Sequence, residues 1–92
     1  MARPLRVSPN LGLDDWPTAR MSDHAHEAAR RFVINLKEAM GGDSVLSTAK
    51  RAGVDRNSLR LVLEGRTWPD ARLVARLEAA FKKTLWPGYF EE

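Results

Sequence analysis

The stretch that most constrains the fold is residues 49–66, AKRAGVDRNSLRLVLEGR, because it contains two helix signals separated by a tight turn. Ala49 is small enough to lie where two helices cross, and Gly53 supplies a turn residue without a side chain. Asp55 can cap the following helix by accepting a bond from a backbone N–H two or three residues later. Leu59, six residues after Gly53, points back toward the first helix. The pattern predicts two short helices that meet at a steep angle.

The helix predicted after this turn, residues 56–64, divides into an apolar and a polar face. Three apolar residues share one side at helical spacing: Leu59, Val62 and Leu63. The opposite side carries Arg56, Asn57, Arg60 and Leu61. We therefore expect the first set to be buried in a core and the second to be available to a ligand.

The same periodicity predicts the helices around this one. A long helix begins at Ser22 or Asp23 and ends at the Gly41–Gly42 pair. Its apolar stripe consists of Ala25, Ala28, Ala29, Phe32, Val33, Leu36 and Met40. A short helix from about Val45 to Arg51 follows a cap at Asp43 or Ser44, with Val45, Leu46 and Ala49 as its expected inward residues.

A last helix begins after the cap residue Asp70 and buries Leu73, Val74, Leu77, Ala80 and Phe81. No period-two alternation of apolar and polar residues supports a sheet. The sequence thus predicts an all-α fold, a compact bundle of four to five helices over residues 22–92, preceded by an irregular N-terminal arm over residues 1–21.

The arm contains Pro4, Pro9 and Pro17, which exclude a regular helix of useful length. Several roles remain open for it. The apolar residues Leu11, Leu13 and Trp16 can dock on the folded domain, or the arm can be disordered. Alternatively, Arg3 and Arg6 can reach a minor groove or phosphates, or the arm can bind a partner chain.

The C-terminal segment is apolar and aromatic, with Trp86, Tyr89 and Phe90 close together. We expect it either to fold back on the core or to bury itself against a second subunit.

Composition excludes several kinds of site. The 92 residues contain no cysteine, so disulfides, thiolate zinc sites and cysteine nucleophiles are ruled out. His24 and His26 lie two positions apart on a helix and face different ways, so no metal site is expected. No constellation of nucleophile, base and oxyanion donors is visible, and neither an enzyme nor a cofactor is predicted. No apolar run is long enough for a membrane span, and a cytoplasmic protein is expected.

The segments GVDRNSL and EGR, within residues 53–66, resemble the DNA-binding helix-turn-helix of the Cro and phage-repressor type, often called the XRE family. The resemblance extends over about residues 30–86. The stretch RTWPD at residues 66–70, together with LEAA at 77–80 and LWP at 85–87, is similar to a branch of that family found in actinobacterial regulators. The resemblance implies a lambda-repressor-like fold.

The resemblance also implies where DNA would bind. The helix 56–64 would enter the major groove and place Arg56, Asn57, Arg60 and Leu61 at the bases. An arginine fork matches the two acceptors of guanine, asparagine pairs with adenine, and an apolar side chain can meet a thymine methyl. Phosphates would be contacted from the start of the second helix, from the recognition helix and from the loop that follows it, by Ser44, Val45, Ser58, Gly65, Arg66 and Thr67.

The positive charge that would favour DNA binding is concentrated in the predicted helix-turn-helix. The whole chain carries a formal charge of +3. Residues 50–66 alone account for the same excess, because five basic residues oppose Asp55 and Glu64 there.

Two positions depart from the family pattern. Thr48 stands where a leucine is usual, so Leu46 is expected to fill that space, and Glu64 stands where asparagine is common and would repel phosphate unless paired with an arginine.

The sequence therefore predicts a double-stranded DNA-binding transcription regulator, a repressor that occupies a promoter or operator in the cytoplasm and associates with the nucleoid when bound. Because one recognition helix reads few base pairs, a homodimer on two half-sites is expected. The alternative is a protein-interaction module, such as an antitoxin-like protein or an adaptor of the transcription machinery, that uses Trp86, Tyr89 and Phe90.

Overall fold

The computed structural model describes residues 7–91, in which the chain forms four α-helices and no strand. The helices are α1 (His24–Met40), α2 (Val45–Ala52), α3 (Arg56–Leu63) and α4 (Ala71–Phe81). The predicted all-α class is confirmed for this part of the chain. None of the four helices has the length and apolar composition required to cross a membrane.

Each helix begins where a short polar side chain can accept a backbone N–H. The N-cap residues are Asp23, Ser44, Asp55 and Asp70, and each side chain accepts a bond from the first turn of its helix. The third helix ends one residue earlier than predicted, because Glu64 already acts as its C-cap.

The core joins all four helices to the C-terminal segment. Its buried members are Phe32, Val33, Leu36, Ala49, Leu59, Val62, Leu63, Leu73, Leu77 and Leu85. The predicted inward residues of α3 are therefore confirmed, with Leu59 0% and Val62 3% exposed. On α1 the stripe holds from Ala28 to Leu36, whereas Ala25 in the first turn is exposed.

Of the three inward residues predicted for α2, Ala49 is buried and Val45 packs against the core, but Leu46 was predicted wrongly. Leu46 is 44% exposed and does not fill the space beside Thr48, whereas Thr48 itself is fully buried. The reason is helical geometry: Val45, Thr48 and Ala49 share one face at spacings of three and four, and Leu46 falls about 100° away from Val45. The Oγ1 atom of Thr48 has no hydrogen-bond partner among residues 7–91. The core thus accepts a buried hydroxyl at this position.

The arm, over residues 7–21, is irregular and lies against the helices. Trp16 donates its indole N–H to the Leu63 carbonyl at 3.1 Å, and Asn10 donates its side-chain amide to the Glu64 carbonyl at 3.0 Å. The backbone N–H of Asn10 donates to the Gly65 carbonyl at 2.9 Å. Of the apolar residues expected to dock, Trp16 packs against the core, while Leu11 and Leu13 are 47% and 50% exposed.

The C-terminal segment folds back on its own chain. Leu85 is 1% exposed, and its carbonyl accepts a bond from the Asn35 side chain at 2.8 Å. The Glu78 carboxylate accepts the backbone N–H groups of Leu85 and Trp86 at 2.7 and 3.0 Å. Trp86 lies with its ring 5.9 Å from that of Phe32. Of the two placements expected, the segment adopts the one that covers the core.

A buried carboxylate fastens the start of α1. Glu27 is 0% exposed and receives Nε and Nη2 of Arg30 at 2.8 and 2.7 Å, Nε of Arg31 at 2.9 Å, and the backbone N–H of Met21 at 2.8 Å. The hydrogen bonds from Arg30 outweigh the effect of burial and, with those from Arg31 and Met21, lower the pKa of Glu27 from 4.5 to about 2. Glu27 is therefore ionised at neutral pH.

Candidate nucleic-acid interface

The turn between α2 and α3 fixes how α3 leaves the core. Gly53 adopts a left-handed conformation with φ 69° and ψ 37°, and its N–H closes the end of α2. The next residue, Val54, donates its N–H to the Ala49 carbonyl at 3.0 Å. Arg76 of α4 donates to the Gly53 carbonyl, so the turn is also held from outside. Gly53 therefore forms the predicted turn, Asp55 caps α3 as predicted, and Ala49 is buried.

The outer face of α3 is exposed and polar. Arg56, Asn57 and Arg60 are all exposed, while Leu59 between them is buried. Leu61, the fourth residue predicted to contact bases, is only partly exposed. The face therefore presents two guanidinium groups and one amide, with a leucine at its margin.

Four exposed side chains, two on α3 and two just after it, are linked by hydrogen bonds and ion pairs and are called the Glu64 cluster: Asn57, Arg60, Glu64 and Arg66. Arg60 donates through Nη2 to Asn57 Oδ1 at 2.7 Å and through Nη1 to Glu64 Oε2 at 3.0 Å. Arg66 Nε lies 3.2 Å from Glu64 Oε1. The expected conflict at Glu64 is thus met by pairing with two arginines.

The residues predicted to contact phosphates lie in different environments. Ser44 and Thr67 are exposed, and Val45 is partly buried. The Ser44 hydroxyl already accepts the N–H of Ser47 at 3.0 Å as the cap of α2. Ser58 is exposed, but its hydroxyl donates to Asp55 Oδ2 at 3.1 Å. Arg66, the charged residue of this set, has its side chain 68% exposed.

Gly65 differs from the exposed loop residue that was expected. It is buried beneath the arm: a Cβ atom placed on it would lie 2.6 Å from Trp16 Cε2. Its N–H donates to the Val62 carbonyl, and its carbonyl accepts from Asn10. These contacts occupy the backbone groups that the resemblance assigned to a phosphate.

Asp55 caps α3 with a charged carboxylate. It accepts the backbone N–H of Ser58 at 2.8 Å as well as the Ser58 hydroxyl. Both bonds lower the pKa of Asp55 below its usual value, and the bond from the backbone N–H has the larger effect. The cap therefore stays ionised near neutral pH and places a negative charge at the positive end of the helix.

An open groove, not predicted from the sequence, lies between the arm and α3. Its volume is about 760 Å³, and its walls bring Trp16 and Asn10 of the arm together with Lys37 of α1 and Arg60 of α3. No local sequence pattern indicates this groove, because the arm contacts α3 only in the folded chain. The hydrogen-bonding capacity of Asn10 and the large ring of Trp16 were the available signals.

The C-terminal aromatic residues named for the alternative function are placed unequally. Trp86 is partly buried against the core. Phe90 lies under the Arg31 guanidinium, 3.7 Å from ring centre to Cζ, and stacks on His24 at 4.3 Å. Tyr89 is 81% exposed and forms the open edge of this group.

Two other predictions concern residues near the arm. Arg3 and Arg6, the arm residues considered for the minor groove, lie outside residues 7–91. His24 stacks on the C-terminal aromatics, whereas His26 lies edge-on to Trp68, 4.9 Å between ring centres. Within residues 7–91, no group of three or more His, Asp or Glu side chains is arranged to hold a metal ion.

Comparison with known proteins leaves the family resemblance as an expectation, since no protein-family model, curated protein or solved structure matches this chain.

Proposed function

We propose that this protein is a sequence-specific regulator of transcription that binds double-stranded DNA through the major groove with α3. The observation that carries the proposal is the division of α3: Leu59 is buried, while Arg56, Asn57 and Arg60 are exposed on the opposite face. A short helix anchored by one face and polar on the other has the dimensions of a major-groove reader.

The proposed base contacts follow from the chemistry of three side chains. Arg56 and Arg60 each carry a planar fork of donors that matches the O6 and N7 acceptors of guanine. Asn57 presents an amide that can donate to and accept from adenine. Leu61, at the margin, would meet a thymine methyl.

The proposed phosphate contacts come from both sides of α3. Ser44 and Val45 mark the start of α2, whose backbone N–H groups favour anions. Arg66 and Thr67 follow α3 and are exposed. Ser58 would also contact a phosphate, once its hydroxyl gives up its hydrogen bond to Asp55. Gly65 is omitted, because its backbone groups are engaged with Val62 and Asn10.

We propose that the protein acts as a homodimer and as a repressor. With eight residues, α3 is about 12 Å long and can span only a few base pairs. Useful specificity then requires two copies on half-sites about one helical turn apart. A small protein of this kind represses by occupying a promoter or operator, bound to the nucleoid in the cytoplasm.

The test is selection of binding sites from a random duplex library, followed by two variants. Arg56→Ala should relax the preference at one or two base pairs, because the lost fork discriminates by roughly 1–3 kcal/mol. Arg66→Ala should instead weaken binding to all sequences alike and lower the salt dependence. Arg20→Ala removes the same charge from the arm and serves as the control. Failure of the wild type to enrich any motif would refute specific DNA binding.

A second candidate is protein binding through the C-terminal segment, favoured by the exposure of Tyr89 beside Phe90. Exposed aromatic side chains are enriched at protein interfaces. Under this alternative, Tyr89→Ser abolishes capture of a protein partner, while Arg56→Ala leaves it unchanged. A relaxed base preference in Arg56→Ala together with unchanged capture in Tyr89→Ser would exclude it.

A further inference from the structure

Glu64 occupies a central place on the proposed DNA surface. Its two carboxylate oxygens are divided between two arginines, with Arg60 at 3.0 Å and Arg66 at 3.2 Å. One of these arginines is a proposed base contact and the other a proposed phosphate contact. A single acidic side chain therefore links the two kinds of DNA contact.

The backbone holds this carboxylate in place. The Glu64 N–H donates to the Arg60 carbonyl at 3.0 Å, and the Glu64 carbonyl accepts the Asn10 amide at 3.0 Å. Two residues later, Arg66 donates its N–H to the Leu61 carbonyl at 2.9 Å. Because the backbone is fixed on both sides, the carboxylate remains within reach of both guanidinium groups.

The exposure of the Glu64 cluster sets the strength of these pairs. The side chains of Arg60, Glu64 and Arg66 are 48%, 40% and 68% exposed, so water screens their attraction. An exposed ion pair of this kind weakens a competing contact by at most about fivefold. A fivefold effect is enough to offset a single phosphate contact at an exposed arginine. By contrast, a bidentate contact between an arginine and the correct base raises affinity by about fivefold to a hundredfold over the wrong base.

We propose that Glu64 is a specificity-determining residue of the DNA surface, an inference that rests on the proposed function. It pairs with Arg60 and Arg66 in the free protein and so reduces their binding to the phosphates of arbitrary sequences. A base edge with two well-placed acceptors displaces the carboxylate from Arg60, whereas an isolated phosphate does so poorly. The carboxylate also repels any backbone phosphate that approaches without such a base.

The experiment compares Glu64→Gln with Glu38→Gln, which removes the same charge from an exposed position on α1. Affinity is measured for the motif selected by the wild type and for a scrambled duplex, over a range of salt concentrations. Retention on heparin provides a measure of anion binding that does not depend on sequence. Thermal unfolding confirms that both variants are folded.

We expect Glu64→Gln to raise affinity for the scrambled duplex about fivefold to tenfold, to raise affinity for the selected motif less, and to elute from heparin at higher salt than Glu38→Gln. An equal effect of the two variants on heparin and on both duplexes would overturn the role of Glu64 while leaving the proposed function intact. A wild type that enriches no motif would overturn the proposed function. The heparin comparison would then still decide whether Glu64 withholds the two arginines from anions.

Discussion

Glu27 illustrates how one buried charge can govern the response of the fold to acid. With its pKa lowered to about 2, the carboxylate contributes stability that is complete above pH 4.5, the value for an unpaired group. That contribution disappears as the pH falls toward 2, because the unfolded chain binds the proton first. A shift of this size corresponds to about 3 kcal/mol.

Glu27→Gln should therefore lower the free energy of unfolding at pH 7 by about 3 kcal/mol, since the partly buried Arg30 and Arg31 lose their buried counter-charge. The variant should also lose much of the decline in stability between pH 4.5 and 2. Urea denaturation across this pH range measures both effects, with Glu38→Gln on the same helix as the control. An unchanged acid profile in Glu27→Gln would disprove this role.

The residue scale is also where sequence reasoning failed. No sequence pattern singles out Glu27, because nothing local indicates that two arginines and the backbone of Met21 enclose it. Thr48 was treated as a gap to be filled by Leu46, although helical spacing alone places Thr48 on the buried side. The polar side chain of Thr48 argued against burial, although helical periodicity places this position on the buried face of α2.

At the scale of elements, the end of α3 depends on the arm. The last carbonyls of a helix lack partners within it. Here the carbonyls of Leu63, Glu64 and Gly65 are satisfied by Trp16 and Asn10. The position of α3, and with it the proposed DNA surface, is therefore maintained by contacts between distant parts of the sequence.

Alanine substitutions at two glycines distinguish the cost of a left-handed backbone from the cost of displacing the docked arm. Gly65 and Gly12 have nearly the same φ, +73° and +71°, but a Cβ on Gly65 would strike Trp16, whereas a Cβ on Gly12 meets nothing within 4 Å. Gly12→Ala should cost about 1 kcal/mol for the left-handed backbone alone. Gly65→Ala should cost about 2 kcal/mol more, because the Trp16 ring must move. Denaturant unfolding gives both values, and equal losses would contradict the importance of the close approach.

Helix boundaries, caps and the two faces of α3 could be predicted because they depend on residues within a few positions of one another. Asp55 and Gly53 announce their roles through residue type and spacing. Docking of Trp16 on the folded domain was one of the predicted alternatives, but the hydrogen bonds of Trp16 and Asn10 could not be predicted, since their partners are backbone carbonyls, which every residue has. The Glu64 cluster was only partly foreseeable: pairing with an arginine was considered, but not pairing with two.

At the scale of the whole molecule, the helices form a single core that the flanking segments complete. The C-terminal segment contributes Leu85, which reaches the core while its backbone is held by Asn35 of α1 and Glu78 of α4. A chain of this length buries a limited fraction of its surface, so each such contribution matters to the total stability.

Leu85→Ala should lower the free energy of unfolding by about 2–5 kcal/mol, the range for large-to-small substitutions in a closed core. Leu46→Ala is the matched control, because the same side chain there is 44% exposed and should change stability by less than about 1 kcal/mol. Both values come from thermal or chemical denaturation. Similar losses in the two variants would place Leu46 in the core after all.

The bond between Asn10 and Glu64 joins residues 54 positions apart, which has a consequence for the timing of folding. Contacts that close so long a loop form later than those within a pair of adjacent helices. Detachment of the arm is correspondingly a smaller opening than loss of the whole core. The amide hydrogen of Asn10, which donates to the Gly65 carbonyl, should exchange with solvent through this partial opening, before those of Phe32 and Leu36 at the centre of α1.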